Sequence, residues 1–214
     1  MDNFEALRVS TLCPFAVTSK IDYGPQWSDE IGFDENVALI ADGLRHHLPR
    51  CRREQLQGFV AQIKVGDPTS FEQVVSCFRR LIFELGRHDS SCQHSLDGDI
   101  GAKEWNFTFG EEAIFLNLFA ACYQWPHSKR VDDRYHMYVF FQPEFTFDFC
   151  NINRSRVALK EDIRRRFAAA DMPYDGQTID GRRKALAFVF PLKPCEPPVE
   201  WWRSAPPSHA TPCS

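Results

Sequence analysis

TSFEQVVSCFRRLIFELGRHDSSCQHSLDGDIGAKEWNFTFG, residues 69–110, is the stretch from which the fold is read. Phe71, Val74, Val75, Phe78, Leu81, Ile82 and Leu85 recur at the 3.6-residue period, so the stretch opens as a helix with one apolar face. Thr69 is placed to cap it, with Glu72 at capping-box spacing. Residues 89–103 are rich in Asp, Ser and Gly and read as a loop. Trp105, Phe107 and Phe109 then alternate with Asn106 and Thr108, the period of a strand.

Outward from this stretch, residues 1–30 read as irregular and contain Cys13-Pro14-Phe15-Ala16. A helix is expected from Asp34 or Glu35, with Val37, Ala38, Ile40, Ala41, Leu44 and Leu48 on its buried side and Pro49 as its end. His47 lies near that side and His46 away from it. Gly58–Val65 reads as a strand, as do Ala113–Ala121, interrupted by Asn117, and Tyr135–Gln142, stopped by Pro143. Between the last two lies a polar loop with Ser128, Lys129 and Arg130. Ser155 is placed to cap a last helix carrying Val157, Leu159, Ile163 and Phe167, and Lys184–Leu192 reads as a final strand. Strands that follow one another without intervening helices favour antiparallel pairing. The expected class is therefore α+β, helices packed on a mixed, mainly antiparallel sheet, as one domain over 1–195 with a Pro/Ser-rich flexible tail over 196–214.

The 214 residues suffice for a substantial core, and 19 phenylalanines place much aromatic surface inside or around a flat, apolar ligand. A formal net charge of −4 argues against a nucleic-acid partner. No apolar run approaches the length of a membrane span or signal peptide, and the eight cysteines show neither zinc-ribbon nor disulfide-scaffold spacing, so a cytoplasmic protein with reduced thiols is expected. Glycine-rich phosphate loops, GxSxG and HExxH are absent from the sequence.

His88 follows Leu85 by three residues, so a helical last turn would bring its imidazole out on the buried face. A neutral imidazole in an apolar pocket can ligate a metal or a haem iron; the plainer reading is a helix-ending histidine beside the last carbonyls. Cys13 is open to two readings as well, a thiolate near a cofactor or a buried packing residue. His88, Cys92 and His94 also form a candidate set for a non-haem divalent metal.

The ordered set Leu85-Gly86-Arg87-His88-Asp89, Trp105-Asn106-Phe107-Thr108-Phe109-Gly110, the Ser128-Lys129-Arg130 loop, Phe141-Gln142-Pro143 and Ile163-Arg164-Arg165-Arg166 resembles the YqcI/YcgG family over about residues 59–175, with an echo at Cys13–Ala16. The family usually shows Ser-Arg where this chain reads Ser128-Lys129-Arg130. Some members are haem-dependent oxygenases that hydroxylate nitrogen in amino acids, guanidines or related amines. The resemblance thus implies haem b, an external electron donor and an amine or amino-acid substrate. It implies His88 as axial ligand and carries over the aromatic motif of Trp105, Phe107 and Phe109. Phe107, Phe109, Phe115 and Phe140 are candidate pocket walls. Lys129, Arg130 and Arg134 are candidate partners of haem propionates or a substrate carboxylate, and His136 and Cys13 are the next candidates for the iron. The rival readings are a non-catalytic haem or small-ligand binder, such as a sensor or carrier, and a non-haem metal protein.

Overall fold

The protein is described here by a computed structural model covering residues 2–149, 157–172, 183–194 and 196–203. Its elements are α1 (Asp2–Ser10), β1 (Ile21–Tyr23), α2 (Phe33–Glu54), β2 (Gly58–Lys64), α3 (Phe71–Gly86), α4 (Ser90–Asp97), β3 (Thr108–Phe109), β4 (Glu112–Phe119), β5 (His136–Pro143) and α5 (Val157–Ala169). Short 3-10 turns occur at Glu144–Asp148 and Lys184–Ala187. The strands form one sheet in the order β1-β2-β5-β4-β3. β1 runs parallel to β2 and the other pairs are antiparallel, which gives the expected mixed α+β class.

α3 lies where its periodicity places it, and all seven of its patterned apolar residues are buried. Its cap is Ser70 rather than Thr69: the Ser70 hydroxyl accepts from the Gln73 N–H at 3.3 Å, while the Thr69 hydroxyl turns to Asp67. α2 continues through Pro49 to Glu54. Proline removes one N–H, but the turn beyond it is held by buried Cys51 and by Arg50 pairing with Glu54 at 2.7 Å.

Four further expectations are corrected. Residues 1–30 contain α1, which has only Phe4 and Leu7 to pack and so leaves little periodic signal. The expected loop at 89–103 contains α4, capped by Asp89 Oδ1 on the Cys92 N–H at 2.9 Å and anchored by Cys92 and Leu96 at i, i+4 spacing. The strand expected around Trp105 pairs only at Thr108–Phe109. The final apolar run forms a 3-10 turn and an irregular buried segment: Ala185, Phe188, Val189 and Phe190 all lie in the core. A continuous apolar run carries no period, so it does not distinguish strand from other buried chain.

The tail expected from residue 196 does not begin there. Val199 and Trp201 are buried, and Trp201 packs edge-on to Phe78 at 5.1 Å and donates from Nε1 to the Ala185 carbonyl at 2.8 Å. Ser155 and residues 204–214 lie outside the described residues. Among the described residues no helix is long and apolar enough to cross a membrane.

The two sheet faces differ. Phe59, Ala61 and Ile63 of β2, Ile114, Leu116 and Leu118 of β4, and Met137, Val139 and Phe141 of β5 share one core with α2 and α3. The alternate residues Val60, Phe119, Tyr138 and Phe140 meet Phe4 and Leu7 of the short helix α1. Two long helices fill the first face. One helix of nine residues cannot fill the second.

Candidate functional site

The incompletely filled face holds a cavity of about 270 Å³. β4 turns Phe115, Asn117 and Phe119 into it, and β5 turns in Phe140 and Gln142. Phe4, Leu7 and Arg8 of α1, the strap residues Cys13, Phe15 and Ala16, Phe147, and Phe167 of α5 complete the wall. Seven phenylalanines among the described residues thus surround it. Phe4 meets Phe119 edge-on at 5.5 Å, and Phe115 meets Phe147 edge-on at 6.2 Å. Gly58 is required here, because a Cβ at that position would lie 2.2 Å from the Phe140 ring.

The strap over the cavity is tied down by Arg8. Its guanidinium donates to the carbonyls of Ala16 and Val17, both at 2.8 Å, and pairs with Glu5. Tyr23 also donates to Glu5. Arg8 therefore secures the strap and has its charge matched by a carboxylate.

Lys129 is different. It is 5% exposed and lines the cavity, and its ammonium donates to Asn117 Oδ1. The faces of Phe119 and Phe190 each lie 4.8 Å from Nζ. Among the described residues no carboxylate pairs with it. Burial pushes its pKa down to about 7, and the nearby Cys13 opposes that fall. Its backbone is fixed through His127, whose Nδ1 accepts from the Lys129 N–H at 3.0 Å. The other ring nitrogen of His127 therefore carries the proton and donates to the Pro191 carbonyl at 3.2 Å. Burial holds His127 neutral, with its pKa pushed down to about 4.

The residues singled out in the sequence separate into several places. Cys13, Phe115 and Phe140 line the cavity together. Trp105, Phe107 and Phe109 belong to the core on the opposite, helix-covered face, so they are not walls of it. His136 sits at the start of β5, its Nδ1 3.1 Å from Asp133 Oδ1, and does not line the cavity. Arg130 pairs with Asp132, and with Arg134 it borders a separate depression beside exposed Trp125. His88 lies just past the end of α3, on the helix side, where its carbonyl accepts from Arg45. Its Nε2 is buried with no hydrogen-bond partner, 3.9 Å from Glu84 Oε1. The set His88, Cys92 and His94 is not assembled: Cys92 is buried, His94 is exposed, and no group of three metal-binding side chains forms among the described residues.

A second constellation escaped the sequence reading. Cys51 Sγ lies 2.9 Å from His47 Nε2, and His47 Nδ1 lies 2.8 Å from Asp22 Oδ2, which Arg50 also contacts at 2.9 Å. The order is that of a nucleophile, base and orienting carboxylate. Cys51 and His47 are both fully enclosed. Burial pushes the Cys51 thiol up to about 12 and the His47 imidazole down, so the thiol stays protonated and substrate has no path to it. The available signal was a histidine and a cysteine at i, i+4 on an apolar helix face.

The model of the YqcI/YcgG family matches residues 13–178. The chain belongs to the YqcI/YcgG family. No curated protein and no solved structure matches it. The YqcI/YcgG segment supplies most of the cavity wall, including Cys13, Asn117, Lys129 and Phe140. Phe4, Leu7 and Arg8 precede the segment, and Phe190 follows it.

Proposed function

We propose that this YqcI/YcgG protein binds a small, flat, largely apolar molecule in the sheet-face cavity. The observation that carries this reading is the phenylalanine-walled space left where the short helix α1, the strap and Phe167 of α5 cover the sheet. A concave apolar site with a few fixed polar groups is the usual form of a small-molecule pocket. Five free cysteines among the described residues support placement in a reducing compartment such as the cytoplasm.

A second reading, haem-dependent hydroxylation of an amine nitrogen, follows from the family resemblance and is favoured by one feature of the cavity. Cys13 is a free cysteine among its lining residues, and cysteine thiolate is an established haem ligand type. His88 does not line this cavity, so the pocket walls and the expected axial histidine are not one site. Cys13 and Lys129 are the residues that would hold a haem here, and when bound it would supply the activation of dioxygen, but the cavity as it stands, at about 270 Å³, is smaller than the macrocycle. The chain's own part is to exclude water with phenyl walls and to orient substrate against Asn117, Gln142 and Lys129.

One set of measurements tests both. Indole, a neutral aromatic probe, should raise the melting temperature of the full chain in a dose-dependent way, and Ala16→Trp, which fills the cavity from the strap, should abolish the rise. An unchanged melting temperature at millimolar indole would overturn the cavity reading. For haem, protein purified with haem supply should show a thiolate-type Soret band that Cys13→Ser shifts and His88→Ala leaves alone. A band lost in folded His88→Ala and kept in Cys13→Ser would move the iron to His88.

A further inference from the structure

We infer that the cavity's ligand carries a carboxylate on a phenyl-sized apolar body, and that Lys129 is the counter-ion it meets. The inference rests on the cavity being a ligand site and goes further by fixing the ligand's charge and size.

Three observations converge. First, Lys129 brings a positive group into an aromatic enclosure where, among the described residues, its direct contacts are neutral: an amide oxygen and two ring faces. A buried ammonium without a counter-charge is costly, and proteins normally pair it. Second, among the described residues the other charged or titratable groups around it are Arg8, His127 and Cys13; none is a carboxylate, and Cys13 alone would, when ionised, favour the ammonium. Arg8 of α1 is matched by Glu5, and His127 on its own loop is held neutral by burial. β4 presents Asn117 and Phe119, the 188–190 segment presents Phe190, and the strap presents the thiol Cys13. A carboxylate brought by a ligand supplies what the described residues do not.

Third, the remaining space sets the size and the anion. About 270 Å³ lies just below the range of drug-sized pockets, which suits a single ring with a short arm. One lysine matches a single negative charge. A phosphate, with its double charge, would call for a second free cation or a cluster of backbone N–H donors. Asn117 Oδ1 is engaged by Lys129 and fixes the ammonium, which leaves the Asn117 amide N–H groups as neutral donors beside it.

The pairing has a proton linkage. Burial leaves Lys129 partly neutral in the empty cavity near pH 7, and a bound carboxylate favours its charged form. Binding therefore takes up a proton, and affinity for the carboxylate falls as pH rises above the lysine's empty-cavity value. A neutral ligand shows no such slope.

The test is titration calorimetry on the full chain at pH 7 with three probes sharing one body: 3-phenylpropanoate, 3-phenylpropanol and 3-phenylpropylamine. The carboxylate should bind at least about tenfold more tightly than the alcohol, and the amine least. Lys129→Met and Lys129→Gln, checked for folding by circular dichroism, should bind alcohol and carboxylate equally. Raising the pH from 7 to 9 should weaken only the carboxylate, and its heat should vary with buffer ionisation enthalpy. Equal binding of carboxylate and alcohol by the natural chain, or a carboxylate preference that survives in both variants, would overturn the inference and leave the cavity reading intact. Binding of none of the three probes would overturn both.

Discussion

Replacing Lys129 by methionine should make the protein more stable, and by an amount that depends on pH in a fixed direction. Burial takes the lysine from its ordinary 10.5 to about 7. Below pH 7 both folded and unfolded chains carry the charge, and the folded state bears the whole cost of burying it. Between pH 7 and 10.5 the unfolded chain binds the extra proton, so stability rises with pH, and above 10.5 the cost is gone. At 1.36 kcal/mol for each tenfold change in proton affinity, the full cost is about 5 kcal/mol, falling to about 2 kcal/mol at pH 9. Methionine removes that cost but leaves Asn117 Oδ1 without its donor, a loss of about 1–3 kcal/mol. The net gain expected for Lys129→Met is therefore about 2–4 kcal/mol at pH 6 and close to zero at pH 9. Urea unfolding at pH 6, 7.5 and 9, followed by tryptophan fluorescence and far-ultraviolet circular dichroism, measures it. A variant less stable than the natural chain at pH 6, or a difference that does not shrink with pH, would refute the assignment of Lys129 as an uncompensated buried cation. The expected result would mark Lys129 as a residue that costs the fold stability, which is how a binding residue differs from a structural one.

Two further outcomes follow from packing and burial. Trp201→Ala should cost about 3–5 kcal/mol, read by urea unfolding, because the ring closes the core against Phe78 and Phe188; a loss below 1 kcal/mol would mean that residues 196–203 do not belong to the domain. A thiol reagent added to the native protein should modify Cys13 while sparing Cys51, Cys92 and Cys122, and most of the eight cysteines should react once the chain is denatured without reductant; peptide mass mapping distinguishes the sites.

How much of this was legible in the sequence differs by element. The α3 face was, since seven apolar positions at one period outweigh any competing pattern. β2, β4 and β5 were, because each is a run of strand formers bounded by turn residues. Pro49 misled, since the rule that ends helices at proline counts a lost hydrogen bond and not the turn of tertiary contacts beyond it. α4 was hidden because an eight-residue helix with two buried side chains has almost no periodic signal. At the site, Asn117 was visible as a polar break in an apolar strand, yet nothing in the sequence shows which way it faces. Lys129 read as a loop cation, and its burial depends on Phe119 and on Phe190, 61 residues further along the chain. His88 was expected on the buried helix face if the last turn stayed helical; α3 ends at Gly86, and helix period does not say which face of the sheet lies opposite.

The sheet's two margins are stubs. β1 offers three residues and β3 two, while the strands of seven and eight residues lie between them. Short edge strands are one of the devices by which sheets discourage pairing with another chain, and β1 and β3 are of that kind. Self-association by strand addition, the common hazard of β-rich domains, therefore has little purchase here.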